Sequence, residues 1–310
     1  MNLLVADMGG TNIRFAVFNG RQTIGLTHYK CADFPTFSDA LKAYCDKVGK
    51  LPADFILAVP GPVQADRYNF VNNSWQFSLK RLKKEFAFKK VYVVNDFEAA
   101  AMAIPFLSSK DVVKIKDGKA QLSFPRLIIG AGTGLGVGAL VPLEKGRFKT
   151  IYSEGGHIAF CDTNDQEAKI KRFIMEKYGH VSAERVISGG GLQNIYEALT
   201  GSVKTSEEIV EAALKKDKKA SRALFQMFAF WGDVAGDLAL AFGTRGGVYL
   251  KGNFFRTDGV LDLLKQSEFC KRFESKGRCY TTLMHEIPVS VIVRKETAFL
   301  GLKAFKTSNK

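Results

Sequence analysis

Leu3-Leu4-Val5-Ala6-Asp7-Met8-Gly9-Gly10-Thr11-Asn12-Ile13-Arg14-Phe15-Ala16-Val17-Phe18 carries two short apolar runs on either side of a glycine-rich bend, the composition of strand, turn and strand. The stretch Leu127-Ile128-Ile129-Gly130-Ala131-Gly132-Thr133-Gly134-Leu135-Gly136-Val137-Gly138-Ala139-Leu140-Val141 repeats that organisation. Aligning Thr11 with Thr133 also pairs Gly10 with Gly132, a weak internal repeat that suggests two similar lobes. The glycines at 130, 132, 134, 136 and 138 recur every second residue and run into apolar Val137 to Val141. That is a hairpin and not the G-x-G-x-x-G opening of a helix that binds dinucleotides, and a Walker A loop is also missing.

Around these stretches the chain alternates strand and helix signals. Lys30 to Gly49 reads as a helix, and Phe55-Ile56-Leu57-Ala58-Val59 as a buried strand stopped by Pro60-Gly61-Pro62. Val91-Tyr92-Val93-Val94 runs through Asn95-Asp96 into the helix former Phe97 to Ala103. Later come an amphipathic run from Ser221 to Phe242, strands at Val248-Tyr249-Leu250 and Val289 to Val293, and a last helix from Glu296 to Phe305.

With 310 residues, 46% hydrophobic and 25% charged, the chain can bury a large core and is expected to divide into two lobes. No stretch approaches the roughly 20 apolar residues that span a bilayer, and the start lacks a basic segment followed by a long apolar one. A cytoplasmic enzyme with no membrane partner is expected. The five cysteines are scattered with no C-x-x-C pair, against both a disulfide framework and a structural zinc site. A net charge of +14 favours approach of an anionic partner such as ATP, nucleic acid or a membrane surface. Clusters such as Lys80-Arg81-Leu82-Lys83-Lys84 and Lys215-Lys216-Asp217-Lys218-Lys219 sit in helix-like stretches and read as solvated faces.

The two glycine turns can present backbone N–H groups to phosphate oxygens without Cβ obstruction, and Asp7 stands where a magnesium ion or its water would sit. Asp96 lies between a strand and a helix, where it reads as a base, as the helix cap, or in part as both. At a helix N-terminus its ionised form is favoured, as a base for a hydroxyl requires. Glu154-Gly155-Gly156-His157 puts a carboxylate and an imidazole together across two glycines, groups suited to sugar hydroxyls. Glu184 also reads as a first-turn helix residue.

Taken together these motifs resemble the bacterial glucokinase family of the hexokinase and actin-like ATPase superfamily. The carrying stretches are Ala6 to Asn12, Pro60-Gly61-Pro62-Val63, Asn72-Asn73-Ser74-Trp75, Val94-Asn95-Asp96-Phe97, Gly130 to Gly136, Glu154 to His157, His180 to Val186, and Gly243-Thr244-Arg245-Gly246-Gly247-Val248. They follow the family's order over nearly the whole chain. The resemblance implies an α/β protein with the two-lobed actin-like ATPase fold, each lobe a ribonuclease H-like mixed sheet with flanking helices, and the active site in the interlobe cleft. It implies a small domain of residues 1–106 plus 291–310, a large domain of residues 107–290, and a homodimer. It further implies ATP-dependent phosphorylation of glucose, with Asp96 as the base toward the 6-hydroxyl and Asn95, Glu154, His157 and Glu184 on the other hydroxyls. The nucleotide would lie on Ala6, Asp7, Met8, Gly9, Gly10 and Thr11 and on Gly132, Thr133 and Gly134, with Mg²⁺ near Asp7. Two departures stand out: Lys251-Gly252-Asn253 where relatives place small residues around a Gly-Gly, bearing on the phosphate donor, and no Pro-Gly turn in Arg294 to Ala298. The cysteine-rich zinc motif of the related repressor branch is absent.

Two other readings remain open at this level. A kinase of the same fold for mannose, fructose or an amino sugar would use the same polar residues. A non-catalytic, sugar-sensing regulator would need an added DNA-binding module, yet the first strand begins at Leu3 and no zinc-finger spacing appears, so no nucleic-acid partner is expected.

Overall fold

A computed structural model describes residues 2–20, 22–69 and 75–308, apart from the side chains of residues 306–308. Asn72-Asn73-Ser74 of the third motif lie outside these residues. The chain divides into two compact units, Met1–Phe106 with Glu296–Lys310, and Leu107–Lys295.

In the first unit, β1 (Leu3–Met8) and β2 (Asn12–Phe18) form the antiparallel hairpin read from the sequence, with Asp7 opposite Arg14. The chain adds an edge strand β3 (Thr23–Lys30), crosses through α1 (Phe37–Val48), and returns as β4 (Asp54–Val59), parallel to β1. A small hairpin, β5 (Arg67–Asn69) with β6 (Gln76–Ser78), and α2 (Leu79–Glu85) lead to β7 (Lys90–Asn95), parallel to β4, and then to α3 (Asp96–Ala103). The sheet order is β3-β2-β1-β4-β7.

Both faces of the central strands β1 and β4 are buried, which is why Leu3 to Ala6 and Phe55 to Val59 read as unbroken apolar runs. Alternate residues part to the two sides: Leu4, Ala6 and Met8 pack with Phe37, Leu41 and Tyr44 of α1, while Leu3 and Val5 pack with Ala99 of α3 and with Ala298, Phe299 and Leu302 of the C-terminal helix α11 (Thr297–Ser308). The approach of α11 to α3 is close enough that a Cβ on Gly301 would stand 1.7 Å from the Ala99 carbonyl oxygen. Gly301→Ala is therefore expected to cost about 1–3 kcal/mol through overpacking. The melting temperature of the variant reads this directly, and an unchanged value would mean that the helices have room to part.

The helix expected over Lys30 to Gly49 starts later. Lys30 still belongs to β3, Cys31–Asp33 make one 3₁₀ turn, and α1 begins after Thr36, whose side chain accepts from Asp39 N–H. Pro35 accounts for the delay, since a proline disfavours helical geometry in the residue before it and leaves Thr36 to cap. β3 carries little sequence signal, because it is an edge strand with mostly exposed residues whose apolar alternation is limited to Ile24 and Leu26.

The second unit repeats the pattern. β8 (Val112–Lys116) precedes β9 (Arg126–Ala131), which pairs antiparallel with β10 (Leu135–Pro142), and that with β11 (Phe148–Ser153). Helices α4 (Asp165–Tyr178), α5 (Gly189–Thr200), α6 (Ser206–Leu214) and α7 (Lys218–Ala241) follow, then β12 (Val248–Lys251), α8 (Val260–Gln266), α9 (Phe269–Glu274), α10 (Thr281–Glu286) and β13 (Val289–Ile292). The order β11-β10-β9-β12-β13-β8 contains the first unit's five-strand arrangement with one extra strand. The repeat is offset by a residue across the turn: pairing of Met8 with Ile13 encloses a loop one residue longer than pairing of Ala131 with Leu135, so an alignment through Thr11 and Thr133 holds only for the outgoing strands.

Two expectations need correction. Residues 291 and 292 lie in β13, which is hydrogen-bonded to β12 and β8, so residues 291–295 go with the second unit and not with the C-terminal helix. Lys215-Lys216-Asp217 is not a helix face but the bend between α6 and α7, with Asp217 capping α7. No helix among the described residues is long and apolar enough to cross a membrane.

Candidate active site

The residues singled out from the sequence fall into two groups, one in each unit. In the first, the turn from Gly9 to Asn12 is closed by the Gly9 N–H donating to the Asn12 carbonyl at 2.8 Å and pinned by the Cys31 N–H donating to the Thr11 carbonyl at 2.9 Å. Beneath it, Arg14 Nη1 donates to Asp7 Oδ2 at 3.0 Å. This pairing is missing from the sequence reading, although the hairpin register that sets residues 7 and 14 opposite each other was its signal. Arg14 Nε is buried with no hydrogen-bond partner among the described residues, a leftover donor beside the turn.

At the far end of the sheet, Asn95 and Asp96 divide the two duties that the sequence left competing for Asp96. Asn95 is the N-cap of α3: its Oδ1 accepts from Phe97 N–H at 2.8 Å and Glu98 N–H at 3.2 Å, and Glu98 reaches back to the Asn95 N–H. The N-cap is therefore Asn95, and Asp96 shares in the capping only through its Oδ1, which also accepts from the Phe97 N–H. The reason is local: Asn95 keeps extended geometry as the last residue of β7, so its side chain meets the exposed amides, while Asp96 is already the first helical residue. The sequence held the sign of this in the spacing Asn95-x-x-Glu98, a capping box. Asn95 is buried and its Nδ2 donates to the Gly61 carbonyl at 3.1 Å, tying the Pro60-Gly61-Pro62 bend to the start of α3. Asp96 is half-buried, with Oδ1 3.0 Å from the Phe97 nitrogen.

In the second unit the groups converge on the first residue of β10. The turn Gly132-Thr133-Gly134 closes with the Gly132 N–H donating to the Gly134 carbonyl at 2.8 Å. The Leu135 N–H donates to Glu184 Oε2 at 2.9 Å. A Cβ on Gly156 would fall 1.9 Å from the Leu135 carbonyl oxygen, so only glycine lets the Glu154 to His157 segment lie against β10. That segment is zipped to the one bearing Glu184 by Phe160 N–H to Val181 C=O and Ala183 N–H to Ile158 C=O, both at 2.9 Å. Glu154 Oε2 lies 3.8 Å from His157 Nε2, and Oε1 accepts from the Tyr152 hydroxyl. Tyr152 escaped the sequence reading because a strand tyrosine is ordinarily packing; its only signal is the two-residue spacing to Glu154. The departure at Lys251-Gly252-Asn253 lies against the same turn, with Lys251 in register with Gly130 and Gly252 close to the Ala131 carbonyl.

Among the described residues there is no cluster of three or more acidic, histidine or cysteine side chains for a metal. The single carboxylate of Asp7, with Oδ2 held by Arg14, suits a magnesium ion that keeps its waters and takes most of its other ligands from phosphate.

A family model described as glucokinase matches residues 4–309. A glucokinase of Chromohalobacter salexigens is 37% identical over 96% of this chain and 95% of its own. A crystal structure of glucokinase from an Antarctic psychrotroph matches with TM-score 0.85 and 31% identity over 98% of each chain. A glucokinase of Balamuthia mandrillaris solved in complex with glucose shares the fold, with TM-score 0.82 and 19% identity over 98% of this chain and 92% of that one.

Proposed function

Because the chain belongs to the glucokinase family, we propose that it moves the γ-phosphoryl group of ATP onto the 6-hydroxyl of glucose, with Asp96 taking the hydroxyl proton. The observation that carries the role of Asp96 is the division of labour at the start of α3, where the capping oxygen belongs to Asn95 and leaves Asp96 at the first helical position. In the reaction the sugar oxygen bonds to the γ-phosphorus, the bond to the β,γ-bridging oxygen breaks, ADP departs and the proton passes to the Asp96 carboxylate. A loose phosphoryl-transfer transition state demands mainly orientation and late proton acceptance, which a side chain anchored on a helix provides.

Asn95, Glu154, His157 and Glu184 hold the remaining hydroxyls in this reading. The turns at Gly9–Thr11 and Gly132–Gly134 supply backbone N–H groups to the phosphates, and Asp7 would hold Mg²⁺ through water. When bound, the ion neutralises charge on the phosphate oxygens. The same reading carries a cytoplasmic homodimer, whose mass sedimentation would report.

A coupled assay over glucose, mannose, fructose and glucosamine with ATP tests the substrate. Glucose is expected to show the highest kcat/KM, and a better hexose would replace it in the assignment. Glu154→Ala removes a hydrogen bond made in ground and transition states alike, so the glucose KM should rise roughly 10-fold while kcat changes little. An unchanged KM would take Glu154 out of the sugar site.

A further inference from the structure

The turn Gly132-Thr133-Gly134 is held at both ends by one short segment of chain. At its entry, the Gly132 carbonyl accepts from the Gly189 N–H at 2.9 Å. At its exit, the Leu135 N–H donates to Glu184 Oε2 at 2.9 Å. The Glu184 backbone is itself fixed, because its carbonyl accepts from Ser188 Oγ at 2.8 Å and that oxygen in turn accepts from the Gly191 N–H at 2.9 Å as the cap of α5. The fit is tight at the carboxylate: a Cβ on Gly134 would stand 2.4 Å from Glu184 Oε2. Glycine at 134 thus admits the carboxylate as well as serving the turn.

We propose that Glu184 is a positioning residue for the nucleotide, holding the phosphate turn through Oε2, in addition to any contact that it makes with sugar through Oε1. This rests on the reading of that turn as a phosphate cradle. A charged acceptor on the Leu135 N–H fixes the direction in which the turn enters β10, and hence where the turn's N–H groups point. A hydrogen bond to a charged group is among the stronger ones, so its loss should be visible in nucleotide affinity. A residue that only touches sugar has no such effect.

Two replacements of similar volume separate the roles. Glu184→Gln keeps an oxygen that can accept from Leu135 N–H and removes the charge; Glu184→Met removes the acceptor. The full-length proteins are titrated with a non-hydrolysable ATP analogue in the absence of sugar, and KM for ATP and for glucose are then measured separately. The Met variant is expected to bind the analogue roughly 10- to 100-fold more weakly, with the KM for ATP raised to match, and the Gln variant to stay within about threefold of the unsubstituted protein. Glucose KM should rise in both variants. Analogue binding by the Met variant at the unsubstituted affinity overturns the positioning role, while glucose phosphorylation by the unsubstituted protein leaves the kinase reading intact. No phosphorylation of any hexose, with analogue binding still weakened by Met alone, overturns the kinase reading and keeps the positioning role. Failure of the unsubstituted protein to bind the analogue overturns both. Circular dichroism of each variant checks the fold, and if Glu184→Met does not fold, Glu184→Ala removes the same acceptor without added bulk and must weaken analogue binding for the proposal to stand.

Discussion

Asp96→Ala is expected to lower kcat by roughly 10²–10⁴-fold, the usual contribution of a positioned base, with the KM for glucose and ATP changed only a few-fold. The N-cap of α3 does not depend on Asp96, so the proposed base can be removed without removing the cap. Asn95 provides the cap of α3 and Glu98 completes the box, so alanine, a good helix former, leaves that arrangement in place. The stability loss expected combines the favourable position of a negative charge at the helix start, about 0.3–1 kcal/mol, with the hydrogen bond that Asp96 Oδ1 accepts from Phe97 N–H, about 0.5–1.5 kcal/mol. Steady-state kinetics and a melting curve on the same preparation decide the matter. A kcat near that of the unsubstituted protein would remove Asp96 as the base. A large fall in melting temperature with activity lost in proportion would return the residue to the capping role. Asn95→Ala is the complement, since it should destabilise α3 by about 1 kcal/mol through loss of the cap.

The largest stability effect is expected at Arg272, in the second unit. Its Nη1 donates to Glu167 Oε1 at 2.8 Å and its Nη2 to Glu167 Oε2 at 3.2 Å, while Nη2 also meets Asp233. Glu167 is only 1% exposed and further accepts from the N–H and hydroxyl of Thr163 and from Gln226. Burial pushes the Glu167 carboxyl up, but the guanidinium and the Thr163 donors outweigh it and hold it below its ordinary 4.5. Asp233 shares the guanidinium with burial prevailing, so its carboxyl is raised.

Arg272→Met keeps the aliphatic stem and deletes the charge, leaving two carboxylates buried with less compensation. A loss of about 3–5 kcal/mol at pH 7 is expected, the usual result of breaking a buried pair from one side. The pH dependence follows from the directions of the shifts. With its folded value depressed, Glu167 stabilises the unsubstituted protein above pH 4.5 and loses that contribution as pH falls through the folded value. Without the guanidinium, each carboxyl loses a partner that lowers it and moves up in the folded state, so the variant gains relative stability on acidification as they take up protons. Urea unfolding at pH 7 and pH 5 should therefore show a narrower gap at pH 5. An equal gap at the two pH values would mean that lost packing, not exposed charge imbalance, sets the deficit.

Much of the fold was legible where burial is complete. Leu3 to Ala6 and Leu127 to Ile129 are apolar throughout because each strand is covered on both faces, and the glycines between paired strands mark the turns. β3 was hardly legible for the opposite reason: at the sheet edge, its pairing depends on backbone hydrogen bonds that any residue can make. The candidate residues were legible as types in order along the chain. What each touches was not, because Glu184 meets Leu135 and Arg272 meets Glu167 across long separations that no local spacing encodes.

The sequence alone determined two sheets built on glycine hairpins and a set of acidic, amide and imidazole groups at strand ends, since burial pattern, turn chemistry and helix capping act over a few neighbouring residues. Only the tertiary structure decided that Asn95 rather than Asp96 closes α3, that Tyr152 meets Glu154, and that Glu184 bears on the turn at Gly132–Gly134. Those outcomes depend on ångström-scale approach of backbone to side chain, set by how the strands and helices of each unit pack, and not by the identity of the residues alone.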